Sequence, residues 1–284
     1  MNTRMDNPTM NEPRAIEARQ AHGKAGKAPI LVTGGTGTLG RLVVPRLRDA
    51  GCTVRVLSRR SRADGEGIAF VTGDLATGEG IDAAVEGAAI IVHLAGAPKG
   101  DAEATRNLVK AASRTGVRRL VYISVIGADR VPLGYFESKL GAERVVADSG
   151  LPWTTLRAAQ FHDLVLTVVQ KMAKLPVIPI PGGLRFQPAD AGDVAARLVE
   201  LTLDKPTGMA PDLAGPQVYG MGDLARSYLR AAGKHRMMMP VRMPGKAGRA
   251  YRAGENLSLH GTDIGKRTWE EFLYSKTAPA MTAN

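Results

Sequence analysis

The sequence predicts an α/β protein built on a doubly wound parallel sheet, with a small lobe towards the C-terminus. Three observations predict it. From Pro29 onward, short apolar runs alternate with stretches whose apolar residues recur at helical spacing, the pattern of parallel strands covered by helices on both faces. The run 89–94, apolar except for His93, lacks the in-and-out alternation of a half-exposed strand, as a central strand buried on both faces does. A glycine-spaced turn, Thr33-Gly34-Gly35-Thr36-Gly37-Thr38-Leu39-Gly40, lies between the first apolar run and the first helical stretch.

Ile30-Leu31-Val32 is the first expected strand. Residues 39–50 follow as a helix, with Leu39, Leu42, Val43 and Leu47 at helical spacing and Gly51 as the stop. Residues 53–57 make the second strand and 69–71 the third, which leaves through Gly73-Asp74-Leu75. A short helix over 81–85 leads to the strand at 89–94. Residues 105–113 form the next helix, with Leu108, Val109 and Ala112 on one side, and 120–124 the fifth strand. A helix running through Ala142 carries Tyr135 and Lys139, and 153–156 is the sixth strand. Beyond it the pattern loosens into a helix over 163–174, a loop-rich stretch punctuated by Pro176, Pro179 and Pro181, and helices over 193–203 and 223–232. The expected division is a disordered tail over 1–28, a core over 29–160, and a lobe over 161–284 intermixed with the last core elements. That lobe would lie over the carboxyl ends of the strands, where open sheets of this kind bind ligands.

The turn carries the first chemical content. Gly34 permits a tight bend, Gly37 lets the backbone approach a pyrophosphate, and Gly40 lets the helix pack closely on the strand. The helix N-terminus then offers free N–H groups and a partial positive charge. With a strand before it, a helix after it and a second strand following, the turn reads as a Rossmann-type dinucleotide site, with Gly34, Thr36, Gly37, Thr38, Leu39 and Gly40 as candidate cofactor contacts. Cofactor choice is made at the end of the second strand, where a carboxylate would bind a bare ribose. Ser58-Arg59-Arg60 stands there instead, and guanidinium groups suit a 2′-phosphate, so NADP(H) is preferred over NAD(H), which stays open. Asp74 and Leu75 after the third strand are placed near the adenine, Ala95 and Gly96 after the fourth near the central riboses.

Composition narrows the rest. A chain of 284 residues, 44% hydrophobic, buries one large core or a core plus a lobe. The single Cys52 excludes an internal disulfide framework and a cysteine metal site, so no metal is expected and a reducing cytoplasm fits. Residues 164–180 are broken by Lys171, Lys174, Pro176 and Pro179, and no membrane span is expected. A net charge of +11 raises nucleic acid as a partner, with a basic run over 226–252 that contains no Asp or Glu. Only Tyr228 and Tyr251 are present there for base stacking, so the expectation is a basic mouth for an anionic cofactor and no nucleic-acid partner.

Tyr135 and Lys139 are four apart in a helical stretch and so share a face. A tyrosine hydroxyl with its ordinary pKa of about 10 is a poor base at neutral pH, and a nearby ammonium with an oxidised nicotinamide would lower it. Tyr135 would then exchange a proton with a substrate oxygen while hydride moves to or from the cofactor, and Ser124 would hold that oxygen. The same spacing also suits a plain surface pair of Lys139 with Glu143.

With these residues together, the chain resembles the short-chain dehydrogenase/reductase superfamily, in its atypical, NmrA-like branch related to NAD(P)-dependent epimerase/dehydratases. The resemblance covers roughly residues 29–275. It rests on the glycine spacing of 34, 37 and 40, on Gly73-Asp74-Leu75, on His93-Leu94-Ala95-Gly96, and on Tyr122-Ile123-Ser124 ahead of Tyr135 and Lys139. Leu151-Pro152-Trp153-Thr154-Thr155-Leu156-Arg157 and Asp193-Val194-Ala195 are similar to the family's substrate-side segments. It implies that Ser124, Tyr135 and Lys139 are the serine, tyrosine and lysine of the active site. It also implies NADPH-dependent hydride transfer to a small-molecule carbonyl, enone or quinone, and it allows a homodimer. Members of the branch also act as redox sensors, so a non-catalytic NADP(H) sensor is a second reading, which the retained triad counts against. An NAD-dependent sugar-nucleotide epimerase or dehydratase is a third, which Arg59 counts against. Where extended members carry an Asn at the start of the fourth helix, this chain has Asp101, a candidate supporting residue. His162 falls where the family lines its substrate pocket, and contact with substrate and a core position both stay open. His93 is expected to be structural, and Met237-Met238-Met239 either an adaptable apolar wall or core filling.

Overall fold

The computed structural model of the chain describes residues 28–97 and 99–277. The tail expected over 1–28 lies outside them, save for Ala28. In chain order the elements are β1 (Ile30–Thr33), α1 (Gly40–Asp49), β2 (Val54–Ser58), β3 (Ile68–Thr72), α2 (Ile81–Val85), β4 (Ile90–His93), α3 (Asp101–Ala112), β5 (Arg119–Val125), α4 (Gly134–Ala147) and β6 (Trp153–Ala158). There follow α5 (His162–Met172), β7 (Val177–Pro181), β8 (Arg185–Phe186), α6 (Ala191–Leu203), β9 (Gly208–Met209), β10 (Leu213–Ala214), β11 (Tyr219–Gly220) and α7 (Met221–Ala231). The last are β12 (Met237–Val241), α8 (Gly245–Ala253), β13 (Asp263–Ile264) and α9 (Trp269–Thr277).

The main sheet runs β3-β2-β1-β4-β5-β6-β10-β13, with β9 also on β6, and every pairing in it is parallel. The chain winds outward from β1 to β3, then crosses back to place β4 beside β1. At that reversal the connections leave in opposite directions and open a crevice at the carboxyl ends of the strands. The doubly wound sheet expected from the sequence is therefore present.

Both faces are covered by apolar helices. Ile30 and Val32 of β1 point to a layer filled by Val43 and Leu47 of α1 and Val194 and Leu198 of α6, while Leu31 points to Ile81, Leu108 and Val146 on the other side. A strand that must be apolar towards two layers has no polar face to alternate with, which explains the continuous runs. Helix α3 begins at Asp101, four residues before the apolar periodicity does. Its first turn is held by polar contacts: the Asp101 carboxylate accepts the Ala97 N–H and the Asp101 N–H is donated to Ser138 Oγ. The apolar signal starts only where the helix reaches the core.

A separate apolar cluster joins α5, α7 and α9, with Val169, Leu224, Tyr228, Trp269 and Phe272 at its centre. Two short ribbons border it, β7 with β12 in parallel and β8 with β11 antiparallel. The three methionines fall on β12. Met238 packs on the lobe cluster, whereas Met237 and Met239 are 72% and 53% exposed, so alternation along a strand splits them between core filling and surface.

Candidate cofactor and active site

The glycine turn is built as its spacing requires. Gly34 sits at φ +67°, and a Cβ there would lie 2.6 Å from the Ala95 nitrogen, so the turn is both left-handed and pressed against the exit of β4. A Cβ at Gly40 would sit on the Gly34 carbonyl oxygen, which makes Gly40 the residue that seats α1 on the turn. Gly37 has only that same oxygen near its Cβ position and otherwise faces open space. Gly35, which the spacing did not single out, is equally constrained: its Cβ position is 2.7 Å from Val56 Cγ1.

The turn forms one wall of a cavity of about 570 Å³ at the sheet reversal. Of the expected cofactor contacts, Gly34, Thr36, Gly37, Ser58, Arg59, Asp74, Leu75, Ala95 and Gly96 line it. Thr38, Leu39 and Gly40 do not. Leu39 is buried in the core, and the three lead from the cavity into α1. Among the described residues no acceptor is present for the N–H groups of Thr38 and Leu39, which fits phosphate oxygens at a helix N-terminus. Ser58 serves its neighbours, since its hydroxyl donates to the Arg60 carbonyl at 2.8 Å and accepts the Arg60 N–H at 3.2 Å. That closed turn presents Arg59 at the rim. Among the described residues Arg59 has no carboxylate partner, and a free guanidinium there fits a 2′-phosphate. Asp74 spends one carboxylate oxygen on the Ala76 N–H at 2.9 Å.

The inner end of the cavity is a buried polar network. Lys139 Nζ lies 3.1 Å from Asp101 Oδ2, with both side chains about 5% exposed. The same ammonium is 3.3 Å from the Tyr122 hydroxyl, to which it donates, and 3.5 Å from the Ile123 carbonyl oxygen. It also lies over the Tyr122 ring. Gly96 leaves room for it, because a Cβ there would be 2.9 Å from Nζ. Tyr122 stacks on His93, and the His93 ring nitrogens bond Thr33 Oγ1 at 2.7 Å and Thr105 Oγ1 at 3.0 Å. Burial, reinforced by the Lys139 charge, holds the His93 pKa down to about 3. Below about pH 6.5 the unfolded chain takes up a proton at His93 that the folded chain refuses. Stability is therefore expected to fall with acidification, by about 1.4 kcal/mol per pH unit down towards pH 3. Denaturant unfolding of wild type and His93→Gln at stepped pH checks it: the variant should lose that part of the slope.

Ser124 lies near the end of β5, on the same side of the strand as Tyr122. It is buried, and its Oγ has no hydrogen-bond partner among the described residues. Tyr135 stands in the first turn of α4, 43% exposed, edge-on to Phe136. Phe136 in turn meets Tyr251 of α8, which packs on Phe186 of β8. Tyr251 is a neighbour that sequence reasoning missed, since nothing local to α8 marks it.

The charge relation between Tyr135 and Lys139 differs from expectation. The ammonium turns inward to Asp101, and the Tyr135 pKa is raised rather than lowered, by partial burial and then by the Asp101 charge. The surface pair of Lys139 with Glu143 is absent as well. Glu143 is buried in a two-pronged pair with Arg157, at 2.8 and 2.7 Å. His162 occupies a core position, packed on Trp269 and Phe272, with Nδ1 3.9 Å from Asp190 Oδ2. In the run 226–252, Arg226 pairs with Asp223, and no helix among the described residues is long and apolar enough to cross a membrane.

A doubly wound sheet with a glycine turn and a cavity at its reversal defines a dinucleotide-binding protein. A family described as NAD(P)H-binding matches residues 34–201, and the chain belongs to that family. It is 30% identical to the (4-alkanoyl-5-oxo-2,5-dihydrofuran-3-yl)methyl phosphate reductase of Streptomyces griseus, over 72% of this chain and 74% of that one. It is 26% identical to quinone oxidoreductase 2 of Escherichia coli, over 72% and 75%. The crystal structure of the NADPH-dependent quinone oxidoreductase of Escherichia coli, complexed with NADPH, superposes with a TM-score of 0.75 at 20% identity, covering 87% of this chain and 99% of that one.

Proposed function

We propose that the protein is an NADPH-dependent oxidoreductase that reduces a small carbonyl, enone or quinone. One observation carries the reading: Lys139 ties together the cavity wall at Asp101, the strand end at Ile123–Ser124 and, one helical turn away, Tyr135. A cofactor bound in the cavity supplies the hydride. The chain supplies everything else. Ser124 Oγ, left without a partner by the fold, holds the substrate oxygen. Tyr135, with its pKa raised, is protonated at neutral pH and donates that proton as the carbonyl electron pair moves onto oxygen, then regains a proton from solvent. Asp101, held by Lys139, would form part of the wall of the cavity that would hold the cofactor. Tyr251 and Phe186, part-exposed rings packed on each other beside the buried Phe136, offer a face to a flat conjugated substrate, which favours quinones and enones over simple alkyl ketones. The lobe that carries Tyr251 is then the substrate-binding part.

The relatives support this reading, since the two named above are described as a reductase and a quinone oxidoreductase. The test follows NADPH absorbance with purified protein against a panel of quinones, enones and aldehydes. Turnover on at least one class is expected. Tight NADPH binding with no turnover on any would overturn the catalytic reading in favour of a redox sensor.

Selection of NADPH is assigned to Arg59. Arg59→Ala is expected to weaken NADPH binding by roughly 1–3 kcal/mol, the scale of a hydrogen bond to a charged group, and to leave NADH almost unchanged. Fluorescence titration with both cofactors decides it, because equal losses would place the guanidinium elsewhere.

A further inference from the structure

We propose that the end of the lobe where β7 and β12 begin is a docking surface for a lipid bilayer with anionic headgroups. Its cations meet the headgroups, and its exposed apolar side chains enter the boundary layer beneath them.

The ribbon builds the surface. β12 pairs with β7 in parallel, Met237 opposite Val177 and Met239 opposite Pro179, so the segments that lead into the two strands, 174–176 and 234–236, emerge side by side. Lys174, Pro176, His235, Arg236 and Met237 line one open groove of about 640 Å³ there. Alternation along β12 turns Met238 onto the lobe cluster and leaves Met237 and Met239 outward, while Leu175, between two of the groove residues, is 44% exposed. A single exposed apolar residue is ordinary, but three large ones about one groove make a patch. Among the described residues β12 pairs with no strand but β7, so the fold itself does not cover it.

The charge around the patch has one sign. No Asp or Glu occurs between Asp163 and Asp190, nor between Asp223 and Glu255, the two stretches that meet in the ribbon. Lys171, Lys174, Lys234 and Arg236 are exposed and make no ion pair among the described residues. The basic run seen in the sequence thus has its first half at the rim of an apolar patch. A second copy of the chain is a poor occupant, because it would set like charges against each other. Nucleic acid is matched by the charge alone: Tyr228 is buried in the lobe and Tyr251 is packed on Phe186, which leaves methionines and a leucine where bases would need rings to stack on. An anionic bilayer uses both features. Lysine and arginine heads stay at the headgroups while apolar tips sink below them, and no spanning helix is involved.

The experiment sediments the full chain with phosphatidylcholine vesicles made with and without phosphatidylglycerol, at physiological ionic strength. Binding to the anionic vesicles alone is expected. Lys174→Gln/Arg236→Gln should weaken it by about tenfold or more, given the worth of each cation near such a surface. Lys110→Gln/Arg118→Gln removes the same charge from exposed positions on α3 and ahead of β5 and should change it little. Met237→Gln/Met239→Gln keeps every charge, alters only exposed side chains, and should weaken binding by about fivefold or more through the apolar part. Failure of the wild type to bind anionic vesicles overturns the proposal. Equal losses in the two charge pairs overturn it too, since net charge would then explain the binding. A methionine pair without effect, or duplex DNA bound more tightly than the vesicles, would make the face a polyanion site instead. A solution dimer that the methionine pair dissolves would give the face to a second copy. Vesicle binding needs no turnover, so its outcome is independent of the reduction proposed above.

Discussion

Tyr135→Phe is expected to lower kcat for reduction by about 10²–10⁴-fold, the usual contribution of a placed general acid, with NADPH affinity unchanged. The separation of the two effects follows from position. Tyr135 lies in the first turn of α4, beyond the cavity that takes the dinucleotide, and its hydroxyl makes no hydrogen bond among the described residues. Removing that hydroxyl leaves the ring contact with Phe136 in place, so the fold should hold. Steady-state rates and cofactor titration on the same preparation check both halves. Full activity in the variant would remove Tyr135 from the chemistry and leave Ser124 or a water as proton source.

Lys139→Met should have the largest effect on stability, a loss of about 3–5 kcal/mol at neutral pH, because it strands the Asp101 carboxylate in a buried site. Pairing Lys139→Met with Asp101→Asn removes both charges and should recover much of the loss, since neutral groups of similar size replace a buried ion pair at little cost. Denaturant unfolding of the single and the double variant tests both statements. A loss that the double variant does not recover would mean that packing, not charge, is what the lysine contributes.

Much of the site is legible in the order of residues alone. The turn 33–40 and the strand–helix alternation depend on neighbours in sequence: a glycine is needed where the backbone bends left-handed or where helix meets turn, and a doubly buried strand must be apolar throughout. Arg59 is legible for the same reason, as the residue that must follow β2. In the same motif Thr38, Leu39 and Gly40 put no side chain into the cavity, because Leu39 is claimed by the core and Gly40 seats α1 on the turn, which leaves the backbone N–H groups of Thr38 and Leu39 as what this part of the motif offers a phosphate.

What the sequence determined by itself was therefore the sheet and the cofactor turn, because each follows from a short-range pattern of burial or backbone shape, while Ser124, Tyr135 and Lys139 stood out as candidates through the family resemblance. What only the tertiary structure decided was how the charges among them are shared. The spacing offered Lys139 a partner in Glu143, and the structure gives it Asp101 instead, because Arg157 on β6 claims Glu143 while the start of α3 is carried against α4. Ion pairing in a buried site is settled by which elements pack together across the chain, and no local spacing encodes that contest.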